Sequence, residues 1–166
     1  MSSIVPAFTW LEGLAWTTAL RESPYGYPLI ETAHVASIVV FAGLVIMMDL
    51  RLVGLAFMPA PLAQIQRRLF PWQMATFVPS TVTGILLFCV DPLRYYRNVL
   101  FLAKLAFLVL AGLNALVFHL KTYRRAEGWG EDPQVIAMAR LAGVASLLLW
   151  SLTIVSGRLI PNNWFK

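Results

Sequence analysis

Charge is scarce in this chain. Only 13% of its 166 residues are charged, while 59% are hydrophobic; soluble domains carry about 25% charged residues. The few charges gather in the gaps between long apolar runs. That distribution excludes a soluble globular domain and indicates one integral membrane unit. The net charge of +5 does not indicate nucleic acid. No basic stripe interleaves with aromatics, and basic residues near span ends meet lipid headgroups. The lipid bilayer is the expected partner.

Other absences narrow the chemistry. A single cysteine, Cys89, excludes an intrachain disulfide and reads as a packing residue. There is no Cys-x-x-Cys, no Cys-x-x-Cys-His and no His-x-x-x-His. Zinc sites, covalent c-type haem and two-histidine helical clips are thereby excluded on spacing. Gly-x-Ser-x-Gly, the P-loop and the dinucleotide fingerprint are missing too. The opening residues "MSSIVPAFTW" lack a basic n-region, so this segment is expected to be retained.

What is present is four apolar segments, each near the ~20 residues that cross a bilayer as helix. They cover residues 27–53, 71–90, 99–120 and 135–160. The predicted fold is all-α, an integral membrane four-helix bundle over residues 27–166. Residues 1–26 stand apart. Thr9 and Glu12 have the spacing of a capping box, and Trp10, Leu11, Leu14 and Trp16 supply an apolar side. They predict an amphipathic helix in the interface, ended by "SPYGYP".

Two polar features sit within spans. Pro79 is followed by Ser80, Thr81 and Thr83; a mid-span proline frees a carbonyl, and the resulting kink either opens a niche or only bends the helix. Asn114, among Ala111, Gly112 and Ala115, reads as a hydrogen bond between helices at a small-residue face.

Orientation follows from Lys and Arg. One side holds Arg51, Arg67, Arg68, Lys121, Arg124, Arg125 and Arg140; the other holds Arg21, Arg94, Arg97, Arg158 and Lys166. Seven against five predicts both termini on the periplasmic side of a bacterial cytoplasmic membrane. Trp72 and Trp129 then mark the inner interface, and Trp10, Trp16 and Trp164 the outer one.

Ionisable residues in lipid are costly and point to function. They are Glu31, His34, Lys104, His119 and Arg140, while Asp49 and Arg51 close the first span and are expected to reach the interface. Neutral imidazole is a common ligand of metals and haem iron. His34 and His119 are therefore the candidate ligands, with structural hydrogen bonding and proton relay as alternatives. Glu31, one turn before His34, is placed to orient its ring. Spans 1 and 3 run in the same direction, with His34 about 7 residues into one and His119 about 20 into the other. At 1.5 Å per residue their depths differ by roughly 20 Å. One iron, with ligands about 2 Å away, cannot hold both.

Two layers follow. The outer one holds Glu31, His34 and Lys104, with Arg94 and Arg97 above them to meet haem propionates; Lys104 is a candidate ligand, propionate partner or partner of Glu31. The inner one holds His119 with Met47, Met48 and Met74, and a His/Met pair is a known haem ligation. Arg140 either snorkels to water or holds an anion. One or two haem groups are expected. Met47 and Met48, with Met58 and Met74, also suit Cu(I).

These residues resemble a known pattern. His34 opens the first span, followed by Phe41-Ala42-Gly43-Leu44 and Leu50-Arg51-Leu52; Lys104, Asn114 and His119 follow on a later helix. The arrangement resembles the small four-helix haem-binding protoporphyrinogen oxidases of bacteria and the membrane domain of the copper-resistance D proteins. It is most similar to uncharacterised small bacterial membrane proteins that carry Tyr27-Pro28, Glu31 and His34, then Asp91-Pro92 and Tyr95 before the lysine helix. The resemblance spans residues 27–160, with Phe41 near a position where the oxidases carry tryptophan. It implies haem b in the bundle, His34 as the family histidine and Lys104 as the family lysine. The expected function is membrane redox chemistry or electron transfer, with a redox partner or a larger membrane complex. A copper or metal-ion permease and a non-catalytic accessory subunit are the alternatives.

Overall fold

The computed structural model describes residues 4–56, 62–123 and 133–162. They form an all-α fold with no strand among the described residues. Met58, Arg124, Arg125, Trp129, Trp164 and Lys166 lie outside them. Helix α1 is Val5–Glu12, α2 Ala15–Glu22, α3 Gly26–Val53, α4 Leu62–Val90, α5 Pro92–Tyr96 and α6 Val99–Val117, continued by a π-helical turn, Phe118–Tyr123. Helix α7 is Pro133–Leu159, with a last 3-10 turn at Ile160–Asn162. Four helical stretches are long and apolar enough to cross a membrane: Gly26–Val53, Gln64–Val90, Val99–Leu120 and Pro133–Asn162.

The second of these starts before Pro71, where the second apolar run was expected to begin. Gln64, Arg67 and Arg68 are exposed, while Leu62 is buried and Ile65 and Leu69 pack on the core. Leu62, Ile65 and Leu69 fall on one helical stripe, so α4 starts as an amphipathic helix and continues through Pro71 and Pro79.

The N-terminal segment is two helices rather than one. Thr9 does not cap: it lies inside α1, and its hydroxyl donates to the Val5 carbonyl at 3.0 Å. Pro6, in the first turn of α1, favours the earlier start because proline lacks a donor that the first turn would leave unpaired anyway. The chain breaks at Gly13 and Leu14. Fully buried Thr17 places its hydroxyl 3.0 Å from the Leu11 carbonyl and 2.8 Å from that of Leu14. Arg21 pairs with Glu12 at 3.2 Å and donates to the Val90 carbonyl at 3.3 Å. Phe8 packs on Phe88 and Tyr96. Helices α1, α2 and α5 thus cap one end of the bundle. Trp10 and Trp16 remain exposed.

Helix α3 is central. It packs on α4 and α7, and α7 packs on α6, whereas the backbones of α4 and α6 do not approach closely. The order around the bundle is therefore α4, α3, α7, α6, with an open seam between first and last. Helix α3 stops at Gly54, whose φ of 87° and N–H contacts to the Leu50 and Arg51 carbonyls form a left-handed cap; glycine adopts this conformation without steric cost.

Two apolar clusters hold the helices. Near mid-bundle, Phe41 meets Trp150 edge-on at 4.9 Å, beside Ala111. Toward the far end, Met48, Leu52, Leu62, Phe118 and Ala139 form the second. Asn98 caps α6 through the Leu100 and Phe101 N–H groups and donates to the Ile160 carbonyl at 3.0 Å. Asn114 donates to the Ala142 carbonyl at 2.9 Å, joining α6 to α7.

Asp49 does not reach the interface. It is only 4% exposed, because α7 packs tightly over this part of α3 at Gly143. A Cβ on Gly143 would lie 2.9 Å from Leu52 Cβ and 3.1 Å from the Asp49 carbonyl oxygen. Ser146 hydrogen-bonds the Asp49 carboxyl, and Oδ2 has no partner among the described residues.

Candidate functional site

A cavity of about 280 Å³ lies between α4 and α6 in the capped half of the bundle. Its size is near the lower edge of small-molecule and cofactor pockets, roughly 300–1,000 Å³. Helix α3 contributes His34, Ile38 and Phe41, and α7 contributes Trp150 and Thr153. The α4 wall carries Phe77, Ser80, Thr81, Gly84, Ile85 and Phe88; the α6 wall carries Phe101, Lys104, Leu105 and Leu108. Most of this lining is aromatic or aliphatic, with an imidazole and an ammonium among it.

The imidazole is held in one tautomer. His34 Nδ1 lies 2.9 Å from the Ser80 main-chain oxygen and 3.1 Å from the Thr83 hydroxyl. A carbonyl oxygen only accepts, so Nδ1 is the protonated nitrogen and donates. Nε2 then keeps the lone pair of the neutral ring, and it has no hydrogen-bond partner among the described residues. Gly84 makes room for this arrangement: a Cβ there would sit 3.0 Å from His34 Cε1. The residues after Pro79 therefore serve the site directly, Ser80 as the acceptor that fixes the ring and Gly84 as the gap that admits it.

Lys104 approaches from α6. Its stem lies against Gly157 of α7, where a Cβ would meet Lys104 Cδ at 3.4 Å and Nζ at 3.5 Å. Its ammonium has no hydrogen bond and no ion pair among the described residues. A positive group and an imidazole lone pair thus line one apolar space, both free to meet a ligand.

Aromatic rings close both ends of the cavity. At the capped end Phe88 and Phe101 stack at 5.6 Å with planes 7° apart. Tyr95 packs on Phe101 at 5.2 Å, and its hydroxyl lies 3.1 Å from that of Tyr27. Burial, and then the Tyr27 hydroxyl, push the Tyr95 phenol above its usual range. At the other end Phe41 contacts Phe77 at 5.3 Å and Trp150 at 4.9 Å.

Residues 25–163 match a family of unknown function, DUF6644. The chain belongs to DUF6644. No curated protein and no solved structure matches it. The DUF6644 match takes in every cavity residue and the four long helices, and omits α1 and α2.

Of the expected site residues, the fold of this DUF6644 protein brings His34 and Lys104 together and leaves the others elsewhere. Glu31 is exposed and makes no hydrogen bond to His34; the Ser80 carbonyl occupies the orienting role assigned to it. Arg97 is exposed at the end of α5, and Arg140 is exposed on α7. Neither lines the cavity. His119 is exposed in the π-helical turn, its ring 6.2 Å from that of Phe70. Phe70 and Ser80 lie ten residues apart on α4, about 15 Å of helix, so the two histidines meet α4 at different levels. Met48 is buried in the far cluster, and Met47 and Met74 are exposed. No group of three or more His, Cys, Asp or Glu forms a metal cage among the described residues.

Gly84, Gly157, Phe77 and Trp150 were not anticipated. The two glycines carried a usable signal, since isolated glycine inside a helical pattern marks close approach or costs stability without return.

Proposed function

We propose that this chain binds one haem b in the cavity between α4 and α6, where His34 Nε2 would hold the iron, and serves membrane redox chemistry or electron transfer. One observation carries the reading. The Ser80 carbonyl holds the His34 Nδ1–H at 2.9 Å, which leaves the ligating nitrogen unprotonated beside an apolar space. Haem-ligating and metal-ligating histidines are oriented in this way, the second nitrogen donating to a carbonyl or carboxylate.

The lining fits such a group. Phe77, Phe101 and Trp150 offer flat apolar surface and keep water from the His34 lone pair. Lys104 offers a positive charge to an acidic substituent. Bound haem would supply one-electron chemistry, and the polypeptide would set its ligand field and dielectric surroundings. Neither His119 nor Met48 lines this cavity, so the reading rests on one haem at His34. The metal-permease reading has less support, with Met48 packed among aliphatic side chains and Met47 and Met74 exposed.

The proposed setting is a bacterial cytoplasmic membrane with both termini periplasmic and a redox partner or larger membrane complex beside the bundle. The visible spectrum of the purified protein, oxidised and dithionite-reduced, tests the haem reading. Absence of haem bands after expression with ample haem supply would leave the accessory-subunit alternative.

A further inference from the structure

We infer that the cavity is loaded sideways, through the seam between α4 and α6, by a molecule dissolved in the hydrocarbon layer: an amphipath with an apolar body and an acidic group. The inference rests on the reading above only in taking the cavity as a ligand site; it does not depend on iron.

Three observations carry it. The first is the seam itself. The backbones of α4 and α6 do not approach closely; Phe88 and Phe101 stack across the gap at the capped end, while Ile85 and Leu105, which line the cavity from opposite sides, are 56% and 41% exposed. The cavity therefore reaches the lateral surface of the bundle between them. Both lie within helices long and apolar enough to cross a membrane, so the medium at that surface is lipid.

The second is closure along the bundle axis. The Phe88–Phe101 stack, with Tyr95 packed on it, blocks the capped end, and Phe41 with Phe77 and Trp150 blocks the other. A water-borne ligand would have to pass one of these aromatic plugs. A lipid-soluble one meets only the aliphatic rim.

The third is charge. The Lys104 ammonium lines an apolar cavity with no hydrogen bond or ion pair among the described residues. An unpaired cation in such a place is costly until an anion joins it. A carboxylate on the incoming molecule supplies that anion. The apolar walls take the body, and the His34 lone pair meets an electron-accepting centre or a donor hydrogen. A wholly apolar lipid chain would leave Lys104 unmet, and a small inorganic anion would leave the aromatic walls without contact.

Trp150 reports on the cavity directly. Haem-free protein is reconstituted in phosphatidylcholine vesicles, and the emission of Trp150 is taken as the difference between wild type and Trp150→Phe. The probes are stearic acid carrying a nitroxide on its chain, phosphatidylcholine carrying the same nitroxide, and aqueous iodide. Lateral loading predicts loss of the Trp150 component with nitroxide stearate and no loss with iodide. Lys104→Met shifts the stearate titration to higher probe concentration and leaves the weaker effect of nitroxide phosphatidylcholine unchanged. Ile85→Phe with Leu105→Phe narrows the rim and slows or removes the quenching; Leu105→Phe alone replaces the pair if helix content by circular dichroism falls. Quenching by iodide, or a Trp150 component untouched by stearate in folded protein, overturns the proposal. The haem spectrum taken on separate haem-loaded samples keeps the two ideas apart. Haem bands without stearate quenching sink lateral loading alone, and quenching without haem bands sinks the haem reading alone.

Discussion

Nδ1 of His34, on α3, donates to the main-chain oxygen of Ser80, on α4, across 2.9 Å. The contact holds the ring close against Gly84, where an added Cβ would stand 3.0 Å from His34 Cε1. Substitution at Gly84 therefore separates the site from the fold. Gly84→Ala gains up to about 1 kcal/mol of helix propensity and loses some in crowding the ring, so thermal stability changes little. Haem affinity falls about tenfold, equivalent to about 1.4 kcal/mol, and Gly84→Leu removes binding. Titration of haem into the two variants checks this; undiminished affinity in Gly84→Leu contradicts the assigned role of His34.

Gly143 carries the tightest approach of α7 to α3. An added Cβ meets Leu52 Cβ at 2.9 Å and the Asp49 carbonyl oxygen at 3.1 Å, and main chain cannot swing aside as a side-chain end does. Overpacking of this kind costs about 1–3 kcal/mol. Gly143→Ala lowers the thermal midpoint in detergent by several degrees, at about 2–4 °C per kcal/mol for a chain of this size. Gly143→Leu prevents stable folding. Differential scanning reads the first effect, and the yield of monodisperse protein reads the second.

Asp49 is buried, accepts from Ser146 and leaves Oδ2 without a partner. Asp49→Asn removes the ionisable group and keeps an oxygen for Ser146, whereas Asp49→Ala also opens a small void. The expected order of thermal midpoints is Asn above wild type, with Ala below Asn. If Asp49→Asn instead falls by several degrees, the carboxylate has a stabilising partner that this account lacks.

Tyr95 predicts a pH response at the capped end. Burial and the Tyr27 hydroxyl raise its phenol above the usual value, which is about 10. The folded protein then binds this proton more tightly than the unfolded chain does. The contribution is fully present below about pH 10 and is lost as pH rises beyond it, because unfolding releases the proton. Denaturant melts of wild type and Tyr95→Phe across alkaline pH test the sign. Wild type loses more stability than the variant on going above about pH 10; equal losses contradict the assignment.

The four long helices were legible because apolar length leaves few other options. The start of α4 was not, since Gln64, Arg67 and Arg68 lower hydropathy while Leu62, Ile65 and Leu69 on the other side pack on the core. Asp49 misled for a related reason. It lies near the end of an apolar run, and α3 ends at Val53 as expected, but α7 covers the carboxyl. His34 and Lys104 were each legible as ionisable groups in lipid, and their shared cavity came from the fold. The partner of His34 was hidden in principle. Composition advertises Glu31, whereas the group that holds the ring is a main-chain carbonyl, which every residue carries. The N-terminal break at Gly13 was masked by the Thr9 and Glu12 spacing, which matched a cap that Thr9 does not make.

The most direct test is the visible spectrum of wild type and His34→Ala, purified from cells supplied with haem, before and after dithionite. Haem held by His34 gives a Soret band in wild type, with distinct alpha and beta bands on reduction, and loses these bands in a folded His34→Ala variant. A wild-type protein without these bands, or a His34→Ala variant that keeps them in full, would contradict haem ligation by His34.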